Sequence, residues 1–233
     1  MRNIKTIGFL VLLIMAALIP LFITSPYYLD LIIIWMLNSI LAMTFLLMLR
    51  TGLISMAIVA FYGIGAYAST MLVTKLGLSF WLSLPASALI AIIIALILSL
   101  PLIKHTGFTF VILTSVIGMM FGIAVGNIKW LGGYSGISSI PPPNPIKIVF
   151  LPPLEFVSKA HYYYLALFLS VISILVMRAF YAAWTGRAWT AIGLNQQLAE
   201  SLGINVFRFK LAGFLVASGI AGLLGSFYAH YQS

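Results

Sequence analysis

The chain has 233 residues, of which 63% are hydrophobic and 6% charged, against about 25% charged in an ordinary soluble domain. Twelve basic and three acidic side chains cannot cover a soluble globule of this size, so lipid must supply the rest of the solvent. The net charge of +9 would suggest nucleic acid in a soluble protein, but here the basic residues stand singly between apolar runs. They read as topology signals, which excludes a nucleic-acid partner.

A span needs about 20 apolar residues to cross the hydrocarbon. On that measure the chain is an all-α polytopic membrane protein of about seven transmembrane helices, a single transmembrane domain over 1–233, with spans at 7–25, 29–49, 53–74, 79–103, 108–127, 161–181 and 209–230. The first follows Arg2 and Lys5. Its apolar run is too long for a cleaved signal, and Thr24-Ser25-Pro26 is a poor small-residue exit, so it reads as an uncleaved span. The second carries Asn38 mid-way. An amide there must face another helix or a water-filled pathway. The first half of the third span is rich in small residues and is open to a broken or re-entrant helix.

With the N-terminus cytoplasmic, eight basic residues (Arg2, Lys5, Arg50, Lys104, Arg178, Arg187, Arg208, Lys210) fall inside and four (Lys75, Lys129, Lys147, Lys159) outside, as the positive-inside rule requires. Tyr27, Tyr28, Trp81, Trp130, Tyr134 and Tyr162–Tyr164 form an outer aromatic belt on this reading, with Trp184 and Trp189 near the inner surface. Asp30 and Arg50 read as interfacial anchors.

Two segments lie outside the membrane. The outer loop, 128–160, contains Pro141-Pro142-Pro143-Asn144-Pro145 and Pro152-Pro153, which favour a stiff extended path. The cytoplasmic loop, 184–208, predicts a short helix with Leu194, Leu198 and Leu202 at i, i+4 and i+8, Ala191 and Ala199 beside them, and Gly203 as a left-handed stop. An apolar stripe outside the membrane must be buried, either on the chain's own helix ends and the lipid headgroups or in a partner protein.

The residues of that loop, Gly186-Arg187-Ala188, Ala191-Ile192, Asn195, Ala199-Glu200-Ser201, Gly203-Ile204-Asn205 and Lys210, resemble the cytoplasmic loop of the LivM-type permeases of branched-chain amino acid ABC importers. The resemblance extends to Gly52-Leu53-Ile54-Ser55 and Ala60-Phe61-Tyr62-Gly63-Ile64-Gly65-Ala66-Tyr67. It is looser at Gly107-Phe108, Thr114 and Trp130–Ile137 with Ile140-Pro141, and covers most of the chain from Gly52 to Tyr228. It implies that the loop is the equivalent of the ABC "EAA" loop, which docks on an ATPase. Arg187, Ala191, Leu194, Leu198, Ala199, Glu200, Leu202 and Gly203 are then the ATPase-coupling residues, with the leucines in a groove or in self-packing, Glu200 as a charged contact and Gly203 as the turn. The family usually has Arg-Glu-Asn-Glu where this chain has Gly193-Leu194-Asn195-Gln196. Its members usually continue past the region of Tyr228–Ser233, so the chain is expected to lack the usual C-terminal part.

For Asn38, Gly52, Ser55, Gly63, Gly65, Tyr67 and Thr114 two readings stay open, close helix packing or lining of a translocation path. No nucleophile, carboxylate pair, phosphate loop or metal-ligand spacing is visible, so the chain is expected to be neither an enzyme nor a metal protein, to hold no cofactor, and to leave ATP to other subunits. The partners implied are a second, LivH-like permease subunit, two ABC ATPase subunits and an extracytoplasmic amino-acid-binding protein, assembled in a prokaryotic cytoplasmic membrane. The alternatives are the same family importing urea, short amides or another small polar solute, an ion-coupled secondary transporter, and, last, a membrane-embedded enzyme.

Overall fold

The computed structural model describes residues 2–23, 25–105, 107–137, 140–145 and 158–232. Among these the chain forms nine α-helices and no strand: α1 (Arg2–Phe22), α2 (Pro26–Arg50), α3 (Ile58–Thr74), α4 (Phe80–Leu102), α5 (Phe108–Asn127), α6 (Lys159–Ala182), α7 (Trp184–Leu194), α8 (Gln196–Ser201) and α9 (Val206–Tyr231). The all-helical reading therefore holds. α2, α4, α5, α6 and α9 are long and apolar enough to cross a membrane, while Val11–Phe22 and Ile58–Thr74 are apolar but shorter. The expected outer features Lys147 and Pro152-Pro153 lie outside the described residues.

α9 is the hub. Of its most apolar stretch 67% is buried within the chain, against 33% for α2, α4 and α6 and 17% for α5. Glycine makes this possible. A Cβ on Gly65 of α3 would overlap the backbone of Gly222, and one on Gly225 would overlap the carbonyl of Tyr62, so α3 and α9 meet backbone to backbone. On another face of α9, a Cβ on Gly222 would run into Ala91 of α4, and one on Gly219 into Ile92. Phe61 and Phe214 then fill the α3–α9 interface edge to face, 5.4 Å apart.

The third span is broken, and the break has a local cause. α2 ends in a Schellman motif: the Leu53 amide reaches the Met48 carbonyl (3.1 Å), and that of Gly52 reaches Leu49 (3.0 Å). Gly52 sits at φ 74°, the left-handed conformation that glycine adopts without a Cβ penalty. Residues 53–57 run on without forming a helix, Leu53 and Ser55 inward, Ile54 and Met56 outward. Helix α3 thus begins at Ile58 and not at 53.

The labels inner and outer follow the charge bias. At the outer end Asp30 (α2) pairs with Lys159 (α6) at 2.9 Å and accepts from the Tyr231 hydroxyl (α9). The Lys159 ammonium also lies 4.5 Å from the Tyr231 ring centroid. Tyr163, expected in the outer belt, is instead fully buried and donates to the Ala16 carbonyl of α1 at 2.6 Å. Its hydroxyl finds an acceptor inside the protein, so it has no need of the interface.

Gly225→Val should force α3 and α9 apart and cost at least about 1–3 kcal/mol. Gly118→Val, at a site with no atom within 4 Å, should leave stability unchanged. Thermal unfolding of the two variants in detergent checks this.

Candidate functional site

At the inner end the chain leaves α6 and doubles back as α7. Trp189 anchors this turn. Fully buried, it donates from Nε1 to the Phe209 carbonyl at the start of α9 (2.7 Å) and stacks on Phe180 of α6 at 5.9 Å. It is not the interfacial tryptophan expected from its place in sequence, because α7 folds under the bundle and turns its ring inward. Trp184 remains exposed, with the Arg187 guanidinium 5.2 Å from its ring. Gly193, at the end of α7, sits where a Cβ would strike the Arg50 carbonyl, and a Cβ added to Gly52 would lie 3.8 Å from the Gly193 Cα. The end of α7 thus rests on the turn between α2 and α3.

The loop does not form the single helix with an i, i+4, i+8 stripe that the leucine spacing predicts. Asn195 adopts an extended conformation (φ −158°, ψ 107°), ends α7 and caps α8, its side chain accepting from the Leu198 amide at 3.0 Å. Asparagine competes with the helical backbone for hydrogen bonds and so favours a cap over a helix interior. The stop at Gly203 holds, with φ 82° and the Schellman pair Ile204 to Ala199 (3.1 Å) and Gly203 to Glu200 (2.9 Å).

The break divides the expected coupling residues. Ala199 is buried with Ile192 and Val206, and Ala191 packs beside them. Leu194, Leu198 and Leu202 are 83%, 58% and 72% exposed, so of the two options the leucines do not self-pack. Arg187 and Glu200 are exposed as well. The result is a leucine-bearing surface outside the span helices, with Arg187 and Glu200 exposed on the same two helices. Beneath it lies Lys210 of α9, only 2% exposed. Its ammonium donates to Gln196 Oε1 at 2.8 Å, and Gln196 Nε2 donates to Glu200 Oε1 at 3.0 Å.

The residues read as packing or pathway scatter. Gly52 is the helix stop described above. Ser55 and Thr114 come together on the non-helical segment: Ser55 Oγ accepts from the Ala57 amide (3.3 Å), and Thr114 of α5 accepts from the Met56 amide (3.2 Å) while its hydroxyl donates to the Phe110 carbonyl (2.9 Å). They satisfy backbone donors that a broken helix would otherwise leave bare in lipid. Gly65 is the α3–α9 crossing, and Gly63 and Tyr67 face Phe121 of α5. Tyr67 also forms a wall of two clefts. One, about 280 Å³, lies between α3 and α9 toward the outer end, and the other, about 510 Å³ and almost wholly apolar, is lined by α3, α4 and α5. Asn38 packs against no other described helix of this chain. It is exposed, off the buried stripe of Ile33, Leu37, Ile40 and Thr44, and makes no hydrogen bond among the described residues.

Sequence reasoning missed a buried polar cluster at the outer end. Ser69 Oγ (α3) lies 3.0 Å from both Ser83 Oγ (α4) and His230 Nε2 (α9). His230 Nδ1 lies 2.9 Å from the Pro141 carbonyl; a carbonyl only accepts, so Nδ1 carries a proton. Asn144 secures the same proline segment, its side chain accepting from the Phe80 amide (3.1 Å) and its carbonyl from Trp81 Nε1 (2.9 Å). The strap of 140–145 is therefore tied to α4 and α9 at once. The partners of His230 lie 89 and 161 residues away in sequence, so no local pattern reveals the cluster.

The sequence profile described as "Branched-chain amino acid transport system / permease component" matches residues 27–233, nearly the whole chain. The chain belongs to this family. The high-affinity branched-chain amino acid transport system permease protein LivM of Escherichia coli (strain K12) is 30% identical over 206 residues, covering 78% of this chain and 47% of that protein. The permease protein of the same name from Salmonella typhimurium (strain LT2) is 29% identical over 202 residues, with the same two coverages. The chain thus spans about half the length of these relatives. No solved structure matches it. Membership makes the chain a multi-pass membrane protein of a transport family, not an enzyme family.

Asn195→Ala should remove the α8 cap at a cost of about 1 kcal/mol. Amide hydrogen exchange at Leu198 and Ala199 should then speed up about fivefold, with the transmembrane helices unaffected.

Proposed function

We propose that the chain is the transmembrane permease subunit of an ABC importer for branched-chain amino acids in a prokaryotic cytoplasmic membrane. It works with a second permease subunit of LivH type, two ABC ATPase subunits that consume the ATP, and an extracytoplasmic amino-acid-binding protein. The observation that carries this reading is the exposed leucine surface of α7 and α8. Three leucines of a cytoplasmic element stay uncovered, while the backbone beneath them is held by Trp189, Gly193 and Lys210. A rigid platform with an apolar face is what a groove in a moving partner protein can grip.

The names of the relatives, which specify branched-chain amino acids, support that cargo. The cleft toward the outer end supports it: Ala66, Ile137 and Ile140 offer apolar walls, with Thr70 and Gln232 as polar groups. A solute with an aliphatic side chain and charged termini suits such a lining better than urea, which has no apolar part to bury. On this reading Gly65 serves packing, and Tyr67 stands beside the path.

The test uses the chain co-expressed with its ATPase, permease and binding-protein partners. Leu198→Asp and Glu200→Arg should lower leucine, isoleucine and valine uptake at least about tenfold and weaken recovery of the ATPases in pull-down. Gly203→Pro should do the same, since proline cannot adopt φ 82° and gives up the amide that caps α8. Wild-type uptake in all three variants would refute the coupling role. Transport by this chain alone in liposomes, driven by an ion gradient, would favour a secondary carrier.

A further inference from the structure

We infer that Lys210 is a positioning residue: its buried ammonium, acting through Gln196, fixes α8 on the core helix α9, so that displacement of the cytoplasmic surface moves α9 with it. The inference rests on the coupling role proposed above for its functional consequence, and on geometry alone for the clamp.

Burying an ammonium is expensive unless strong acceptors surround it. Lys210 is 2% exposed and donates to a neutral amide oxygen, Gln196 Oε1, at 2.8 Å. The compensating charge is one step further out, where Gln196 Nε2 meets Glu200 at 3.0 Å. Among the described residues Glu200 is the only carboxylate at the inner end, since Asp30 is committed to Lys159 and Tyr231 at the outer end. The ammonium, amide and carboxylate thus form one directed line from the interior of α9 to the surface of α8.

A stability role does not explain this line. An apolar side chain of similar length in place of a buried cation is often neutral or stabilising. What an apolar side chain cannot supply is a fixed register. α8 has six residues, far below the length at which a helix holds itself. Its apolar hold on the rest of the chain is the small cluster of Ile192, Ala199 and Val206, which permits sliding. The hydrogen-bonded line does not. Lys210 also belongs to the helix that crosses α3 at Gly222 and Gly225, about 18 Å further along at 1.5 Å per residue. A pull on Glu200 or on the leucines therefore reaches the crossing through a continuous helix.

The chain has no cysteine, so Ala199→Cys provides a single thiol on the buried face of α8. In inside-out vesicles carrying the full chain this thiol should be protected from a charged maleimide. Adding Lys210→Met, or Gln196→Leu, should speed labelling about tenfold, while the thermal midpoint stays unchanged. Lys210→Arg, which keeps a cation and its donors, should restore protection. Labelling of Ala199→Cys/Lys210→Met at the parent rate, or Ala199→Cys labelled as fast as exposed Ser201→Cys, would overturn the clamp. In the assembled transporter Lys210→Met should lower solute imported per ATP about tenfold with ATPase binding retained; an unchanged ratio would overturn the transmission. If Leu198→Asp leaves uptake intact, it is the coupling reading that fails, and the labelling result still decides the clamp.

Discussion

The structure depends on one close approach, the crossing of α3 and α9. Gly65, Gly222 and Gly225 bring the two backbones to a separation that no side chain survives. Lipid gives helices no hydrophobic reason to associate, so a membrane protein must gain its cohesion from van der Waals contact and from polar groups satisfied between helices. Glycine maximises the first of these. α9 can then be the central helix, with α4 against its second face and Phe61 and Phe214 closing the gap beside the crossing.

Around that crossing, the two ends of the bundle are tied differently. The outer end uses charge and shared protons: Asp30, Lys159 and Tyr231 join α2, α6 and α9, and Ser69, Ser83 and His230 join α3, α4 and α9 while holding the proline strap. The inner end uses a wedge. Trp189 locks α7 under α6 and α9, and Gly193 seats it on the end of α2. The outer ties fasten helix ends to one another, and the inner wedge presents a surface. The same helix, α9, ends in the first and begins in the second.

Legibility differed residue by residue. Gly203 was readable because a helix stop is local chemistry: a glycine after an apolar run can supply the left-handed turn wherever the helix lies. Gly52 is an equally local stop, yet its neighbours in a glycine-rich span left it between close helix packing and the lining of a path. The leucines at 194, 198 and 202 were misread as one stripe, because spacing assumes an unbroken helix and Asn195 breaks it. Ser55 and Thr114 were singled out without their task, which is to satisfy the amides of a segment whose irregularity the composition only suggested. Trp189 and Tyr163 were assigned to interfaces by position along the chain, but each finds a backbone acceptor inside the protein.

Composition and charge order alone determined that this chain lives in a membrane, that it is helical, and which end of each helix is the more basic, since these follow from what lipid tolerates. Short-range chemistry determined the turn at Gly203, and motif likeness the family. Only the tertiary structure decided which glycines make the crossing, that α7 and α8 are separate, that the leucines are left bare while Ala199 is covered, and that Lys210 and His230 each sit in a hydrogen-bonded network. The reason is physical: each of these depends on a partner brought from far along the chain. Two glycines 157 or more residues apart carry no mark of one another until the helices that bear them have packed.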